Sequence, residues 1–422
     1  MHHFHYLNGE LYCENVPVRR IAEAVGTPFY LYSHATLTHH FRTFDAAFEG
    51  YPHIICFAVK ANGNLAILRL FAKLGAGADI VSGGELFRAL KAGVPAQKIV
   101  YSGVGKSFKE IRQALKAGIL MFNIESSQEL GEISRLAGSL KVQAPVALRI
   151  NPDIDPQTHP YISTGLKKNK FGINLDRALL DYERARQLPH VEVVGVACHI
   201  GSQITELSPF LEAVRRLREL VAELTRRGIA IRYLDLGGGL GITYDQETPP
   251  HPRDYGQALI KELAGLDVTL ILEPGRVLVG NAGILVTRVY YTKDTEAKHF
   301  IVVDAGMNDL ARPSLYGSYH ALWPVVEAPR REVVASLVGP ICESGDFLAK
   351  DRPMADFQPG ELVAVMSAGA YGFSMSSNYN ARPRVAEILV KDDEVYVIRK
   401  RESYAQLIRG EAIPKFLWSS TL

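Results

Sequence analysis

The chain has 422 residues, 47% of them hydrophobic and 22% charged, and its 47 basic and 45 acidic residues leave a formal charge of +2. That is apolar material for two cores at roughly 100–250 residues per domain. Both signs are interspersed, so there is no basic stripe to neutralise a run of phosphates, and nucleic acid is not expected as a partner.

Residues 1–9 carry His2, His3 and His5 but no apolar segment of signal-peptide type, and a frayed polar terminus accounts for the histidines without a metal. Residues 6–16 read as a hairpin turning at Asn8-Gly9, a dipeptide that tolerates positive φ. From about residue 30 to 276, short β-branched or apolar runs alternate with stretches of helical period. The runs fall at 54–59, 78–81, 98–102, 120–124, 146–150, 193–198, 233–236 and 269–272, and the helical patterns include 65–74, 86–92 and 210–227. Eight strand-then-helix units predict a closed parallel (β/α)8 barrel over 30–276. An open doubly wound sheet stops nearer about five or six strands and sets its glycine loop after the first, whereas here that loop follows the seventh.

After Arg276 the pattern changes to strands at 284–292, 299–304, 362–366, 384–390 and 394–399 with turn clusters between them. Residues 277–422 therefore predict a β-sandwich or β-barrel domain, which residues 1–29 are expected to join. No apolar run reaches the ~18 residues of a membrane span. The four cysteines, Cys13, Cys56, Cys198 and Cys342, lack CxxC spacing and read as free thiols of a cytoplasmic protein.

In such a barrel the C-terminal strand ends share one pocket. Strand one runs into Phe57-Ala58-Val59-Lys60-Ala61-Asn62, placing an amine on an apolar wall where desolvation is expected to lower its pKa and make it nucleophilic toward a carbonyl. Strand six runs into Cys198-His199-Ile200-Gly201-Ser202-Gln203, and strand seven into Asp235-Leu236-Gly237-Gly238-Gly239-Leu240-Gly241. Loops after strands seven and eight cradle phosphate in many barrels, because glycines let backbone N–H groups approach the anion. No Lys-Ser/Thr follows, so a Walker-type loop is unsupported. Strand eight runs into Glu273-Pro274-Gly275-Arg276. An amine for an imine, an N–H cradle for a phosphate and a carboxyl for a pyridine nitrogen are together what pyridoxal phosphate needs. No cluster has metal-ligand spacing, and His199 and Ser202 sit too close along one turn for a Ser/His/Asp arrangement.

These residues resemble the fold-type III, alanine-racemase-like pyridoxal-phosphate decarboxylases, and among them the diaminopimelate decarboxylase family. The resemblance runs nearly end to end. Beyond the strand-end segments it takes in His159-Pro160-Tyr161-Ile162-Ser163-Thr164-Gly165 and Lys170-Phe171-Gly172. In the β-domain it takes in Met307-Asn308-Asp309-Leu310-Ala311-Arg312-Pro313-Ser314-Leu315-Tyr316, Cys342-Glu343-Ser344-Gly345-Asp346 and Gly369-Ala370-Tyr371-Gly372. The barrel motifs are shared among related decarboxylases, whereas the β-domain motifs are narrower. Phe57 departs from the tyrosine frequent in the family, one aromatic for another.

The resemblance implies that Lys60 forms the Schiff base with pyridoxal 5′-phosphate and that Glu273 meets the pyridine nitrogen. His199 would stack on the ring, and Gly239, Gly275, Arg276 and Tyr371 would hold the phosphate end, with Asp79 and Ser202 completing the cofactor set. It further implies that Arg276, Arg312, Tyr316 and Tyr371 receive the substrate, Glu343 its far amine, and that Cys342 donates the proton. The implied reaction is decarboxylation of meso-2,6-diaminopimelate to L-lysine in a homodimer with shared active sites. A second carboxylate on the substrate calls for a planar cation such as Arg312. Ornithine-type relatives typically carry aspartate where this chain has Glu343. The alternatives are an ornithine, arginine or carboxynorspermidine decarboxylase, a racemase, or a non-catalytic homologue that binds the cofactor.

Overall fold

A computed structural model describes residues 2–155 and 170–418. The eight runs form parallel strands at His53–Ala58, Gly77–Ile80, Ile99–Tyr101, Met121–Ile124, Ala144–Asn151, Val191–Ala197, Tyr233–Asp235 and Thr269–Leu272. They pair in chain order and the eighth pairs back onto the first through Leu270–His53, Ile271–Ile54 and Leu272–Ile55, so the sheet closes into a (β/α)8 barrel. The strands read as continuous apolar runs because helices cover their outer faces while side chains fill the interior. One such interior cluster takes Cys56, Val100, Met121, Ala147, Val194, Ala197 and Ile271 from six strands.

Local sequence sets the helix boundaries. Helix Phe108–Ala117 starts at a capping box, in which the Ser107 side chain accepts from the Glu110 N–H and the Glu110 carboxylate reaches back to the Ser107 backbone, and it ends at Gly118 in the left-handed region. Cys13, Cys56 and Cys198 are buried free thiols whose pKa values burial pushes up, which keeps them protonated and inert, whereas Cys342 is exposed.

The second sheet orders its strands Phe347–Ala355, Glu332–Val338, His299–Val303, Gly283–Asp294, Phe29–Ser33, Ala386–Lys391 and Glu394–Arg399, with Leu362–Val365 and Leu322–Pro324 branching from it. The N-terminal strands Phe4–Leu7, Glu10–Cys13 and Val16–Pro17 form their own small sheet, turning at Asn8 and Gly9 with φ of 51° and 77°. That sheet is tied to the β-domain by the Leu11 N–H to the Val325 carbonyl at 2.8 Å and by packing of Phe4, Leu11 and Val16 with Phe29, Leu31 and Ile284.

The sequence pattern places residues 30–33 in the barrel, but strand Phe29–Ser33 is central in the second sheet, antiparallel to Gly283–Asp294 on one side and parallel to Ala386–Lys391 on the other. All five of its residues are buried. The chain enters the barrel domain only at helix His34–Ala46.

The two domains meet at the loop bearing Lys60. Tyr371 N–H donates to the Ala61 carbonyl at 2.8 Å, the Asn62 amide donates to the Gly369 carbonyl at 3.1 Å, and the Asn64 amide donates to Glu387 Oε2 at 2.9 Å. The β-domain thus pins the backbone that aims the lysine.

Candidate active site

Lys60 sits one residue inside a single 3-10 turn, Val59–Ala61, that follows strand one, so it caps the barrel mouth rather than ending the strand. Its Nζ donates to Asp79 Oδ2, and Asp79 is fully buried on strand two. This overturns one expectation. Burial does act to lower the Lys60 pKa, but Asp79 and then Glu273 outweigh it, and the net direction is up. The ion pair with Asp79 favours the ammonium form of the lysine.

Beneath it lies a layer of polar groups on otherwise apolar strands. Asn123 Nδ2 donates to Asp235 Oδ2 at 2.8 Å, and both Asn123 and Ser102 reach Glu273 Oε1 at 3.4 Å. Burial, then the neighbouring Asp235, pushes the Glu273 carboxyl well above the usual range. His199 is held well below its ordinary pKa by burial and by the cations Arg149 and Lys60. The Gly238 N–H donates to His199 Nδ1 at 3.2 Å, which leaves the proton of the neutral ring on Nε2.

Two glycines keep this floor flat. Gly239 has φ of +120°, and a Cβ there would stand 2.6 Å from the Gly201 carbonyl oxygen. A Cβ on Gly275 would stand 3.0 Å from Ala61 Cβ and 3.1 Å from Ala58 Cβ. The side chains of Lys60, His199, Ser202, Arg276, Arg312, Tyr316 and Tyr371 line one cavity of about 430 Å³ above that floor. Arg276 donates to Ser202 Oγ at 3.0 Å and to the Tyr244 hydroxyl at 2.7 Å, while its Nε is buried without a partner. Arg312 donates to His320 Nε2 at 3.1 Å and to Ser318 Oγ at 3.1 Å. Neither arginine forms an ion pair with a carboxylate among the described residues, so each keeps charge to offer a ligand. Buried atoms left unsatisfied around a cavity mark a place built for something else. Asp79 Oδ1 and Asn123 Oδ1 are two more of them. An amine, a buried carboxyl, a flat neutral imidazole and a free guanidinium edge fit a pyridoxal cofactor.

Cys342 and Glu343 are exposed and do not line this cavity in their own chain; the Cys342 N–H donates to Asn380 Oδ1 at 2.8 Å. The motif at His159–Gly165 lies outside the described residues. Beside it, the Gly172 N–H donates to Glu125 Oε2 at 2.7 Å, Glu125 pairs with Arg149 at 2.7 Å, and Arg149 stacks on Phe171 at 4.9 Å. Among the described residues no group of three or more His, Cys, Asp or Glu side chains is placed to hold a metal, and no helix is long and apolar enough to cross a membrane.

Four groups escaped the sequence reading: Asn123, Asp235, Tyr244 and His320. Asn123 and Asp235 carried a usable signal, since each is a lone polar residue inside a barrel strand. Tyr244 and His320 carried none, being ordinary residues of connecting loops.

Residues 34–280 match the model of the pyridoxal-dependent decarboxylase, pyridoxal binding domain, which places the barrel in that class. The whole chain narrows it. It is 55% identical over 413 residues to diaminopimelate decarboxylase of Pseudomonas aeruginosa, covering 97% of this chain and 99% of that one. The structure resembles that of the M. jannaschii enzyme in co-complex with L-lysine, with a TM-score of 0.94, 41% identity and 98% of each chain covered. It also resembles the Helicobacter pylori enzyme complexed with L-lysine, with a TM-score of 0.90, 46% identity, and 93% of this chain and 98% of that one covered. The chain belongs to the diaminopimelate decarboxylase family.

Proposed function

We propose that the protein decarboxylates meso-2,6-diaminopimelate to L-lysine and CO2 with pyridoxal 5′-phosphate as cofactor. The observation that carries this reading is Arg312, only 5% exposed and on the cavity of Lys60, whose partners are an imidazole and a hydroxyl rather than a carboxylate. Diaminopimelate has an amino-acid group at each end, and a planar guanidinium suits the carboxylate that is retained. Ornithine and arginine lack that second carboxylate, and a site that buries a cation for it would reject them. The solved relatives of Helicobacter pylori and M. jannaschii hold L-lysine, which keeps the same carboxylate.

The cofactor, when bound, supplies the electron sink for the pair left at Cα as CO2 departs. The protein's own residues do the rest. Asp79 orients Lys60 Nζ, which must lose a proton before the amine can bond to a carbonyl carbon. Glu273 holds a proton at the ring nitrogen and so keeps the sink deep. Neutral His199 covers one ring face and excludes water from it. Gly239, Gly275, Ser202, Arg276 and Tyr371 bind the phosphate end, and Arg276, Arg312 and Tyr316 orient the far carboxylate. Cys342 delivers the proton to Cα and Glu343 binds the far amine. Because both lie off their own chain's cavity, the reading makes the active unit a homodimer in which each β-domain closes its neighbour's barrel.

Purified protein loaded with cofactor and offered diaminopimelate, ornithine, arginine and carboxynorspermidine should release CO2 from diaminopimelate alone and form L-lysine. Release from ornithine or arginine at a comparable rate would sink the substrate assignment, and no release from any of the four would leave a non-catalytic homologue. Arg312→Ala should lower kcat/KM for diaminopimelate by the equivalent of about 2–5 kcal/mol, the range for truncating one partner of a buried charge pair. Cofactor affinity, read by absorbance titration, should be unchanged. Loss of both together would place Arg312 at the cofactor instead.

A further inference from the structure

Two cations share one aromatic ring in the wall of the cavity. Tyr244 stands in the loop between strand Tyr233–Asp235 and helix Pro252–Glu262. The Arg312 guanidinium lies 4.6 Å from its ring centroid, the Arg276 guanidinium lies 5.7 Å from it, and Arg276 also donates to its hydroxyl at 2.7 Å. The His320 ring meets the same tyrosine edge-on at 5.4 Å. Arg276 and Arg312 are 6% and 5% exposed, and without a carboxylate between them they repel each other in a poorly screened place. The negative face of an aromatic ring is the natural neutral partner for a desolvated guanidinium.

The surroundings hold the assembly in one geometry. Tyr244 and Asp245 donate their N–H groups to Glu247 Oε2 at 3.0 and 2.7 Å, and Thr243 Oγ1 donates to the Glu247 carbonyl at 2.8 Å, so the turn carrying the ring is clamped. On the other side His320 Nδ1–H donates to the Met366 carbonyl at 2.8 Å, which leaves Nε2 free to accept from Arg312. Burial, then Arg312, holds His320 down to about 3, so that acceptor persists at any working pH.

We infer that Tyr244 is a positioning residue that sets recognition of the substrate's far carboxylate by holding Arg276 and Arg312 as a pair. The inference rests on the reading of Arg312 given above. The ring fixes where Arg312 points, and the hydroxyl fixes the near edge of Arg276. Both guanidiniums can then meet one carboxylate without first being moved together against their repulsion.

Binding of two ligands to the cofactor-loaded enzyme tests this by calorimetry, independently of turnover. L-Lysine keeps the far carboxylate and 1,5-diaminopentane lacks it. Tyr244→Leu should raise the Kd for L-lysine about tenfold and leave that for 1,5-diaminopentane within about twofold, whereas Tyr244→Phe, which keeps the ring, should lose only about two- to threefold for L-lysine. An unchanged Kd for L-lysine in Tyr244→Leu overturns the inference. So does equal weakening of both ligands, which would mean the ring merely props the pocket open. If the leucine variant does not fold, the phenylalanine variant decides: selective weakening of L-lysine supports the inference, and no loss or an unselective one overturns it. Wild-type protein that releases no CO2 from diaminopimelate fails the proposed function instead, a result obtained before any variant is made.

Discussion

Lys60→Ala should abolish the visible absorption of the cofactor-loaded protein and lower kcat/KM for diaminopimelate by on the order of 10⁴-fold or more, the scale seen when a covalent nucleophile is removed. Lys60 is the amine that lines the cavity, and the β-domain pins its turn through Tyr371 and Asn62. Its removal also strips Asp79 of its cationic partner, leaving a fully buried carboxylate beside Glu273. Borohydride treatment followed by peptide mapping provides the check. The cofactor should be fixed to the peptide containing Lys60 in the wild type and to no peptide in the variant. A variant with normal turnover, its cofactor fixed to another lysine, would displace Lys60 from the mechanism.

The second large effect concerns complementation. Lys60→Ala and Cys342→Ala homodimers should each be nearly inactive, yet mixing them after dissociation should restore about a quarter of wild-type activity, since half of randomly formed two-fold dimers are mixed and one site of each is intact. The reasoning starts from Cys342, which is exposed, hydrogen-bonded through its backbone to Asn380 and absent from the wall of its own chain's cavity. A proton donor must approach the reacting carbon, and under the proposed function Cys342 does so from a neighbouring chain. Mixed dimers demonstrated by mass spectrometry but without activity would mean that the cysteine serves its own barrel or does not donate the proton.

What was legible in the sequence follows from how each feature is encoded. The barrel strands stand out because both their faces are buried, which writes each as a short continuous apolar run between amphipathic helices. Strand Phe29–Ser33 is written the same way, and its position just before the first barrel unit put it in the wrong sheet, since partners more than 250 residues away leave no local trace. Strands Glu332–Val338 and Phe347–Ala355 were missed for another reason: their outer stretches are charged or half-exposed, and Pro353 interrupts the second. At the site, motifs with backbone consequences were readable, as with Gly239. The charge state of Lys60 was not. It depends on Asp79 and Glu273, carried by the strands that flank the first on either side but lying 19 and 213 residues away in sequence, and burial alone pointed the other way.

Strand Phe29–Ser33 also has a consequence for synthesis. The segment is made before the barrel, yet its neighbours in the sheet, Gly283–Asp294 and Ala386–Lys391, are made after all of it. While the barrel is being made, a five-residue buried strand, destined to be covered on both faces and along both edges, has nothing to pair with. Such an unpaired edge is where a nascent chain captures a wrong neighbour, and non-local pairing of this kind is slow to form. The β-domain, and with it the anchoring of the Lys60 loop, can therefore be completed only after the last barrel strand and Ala386–Lys391 have both been made.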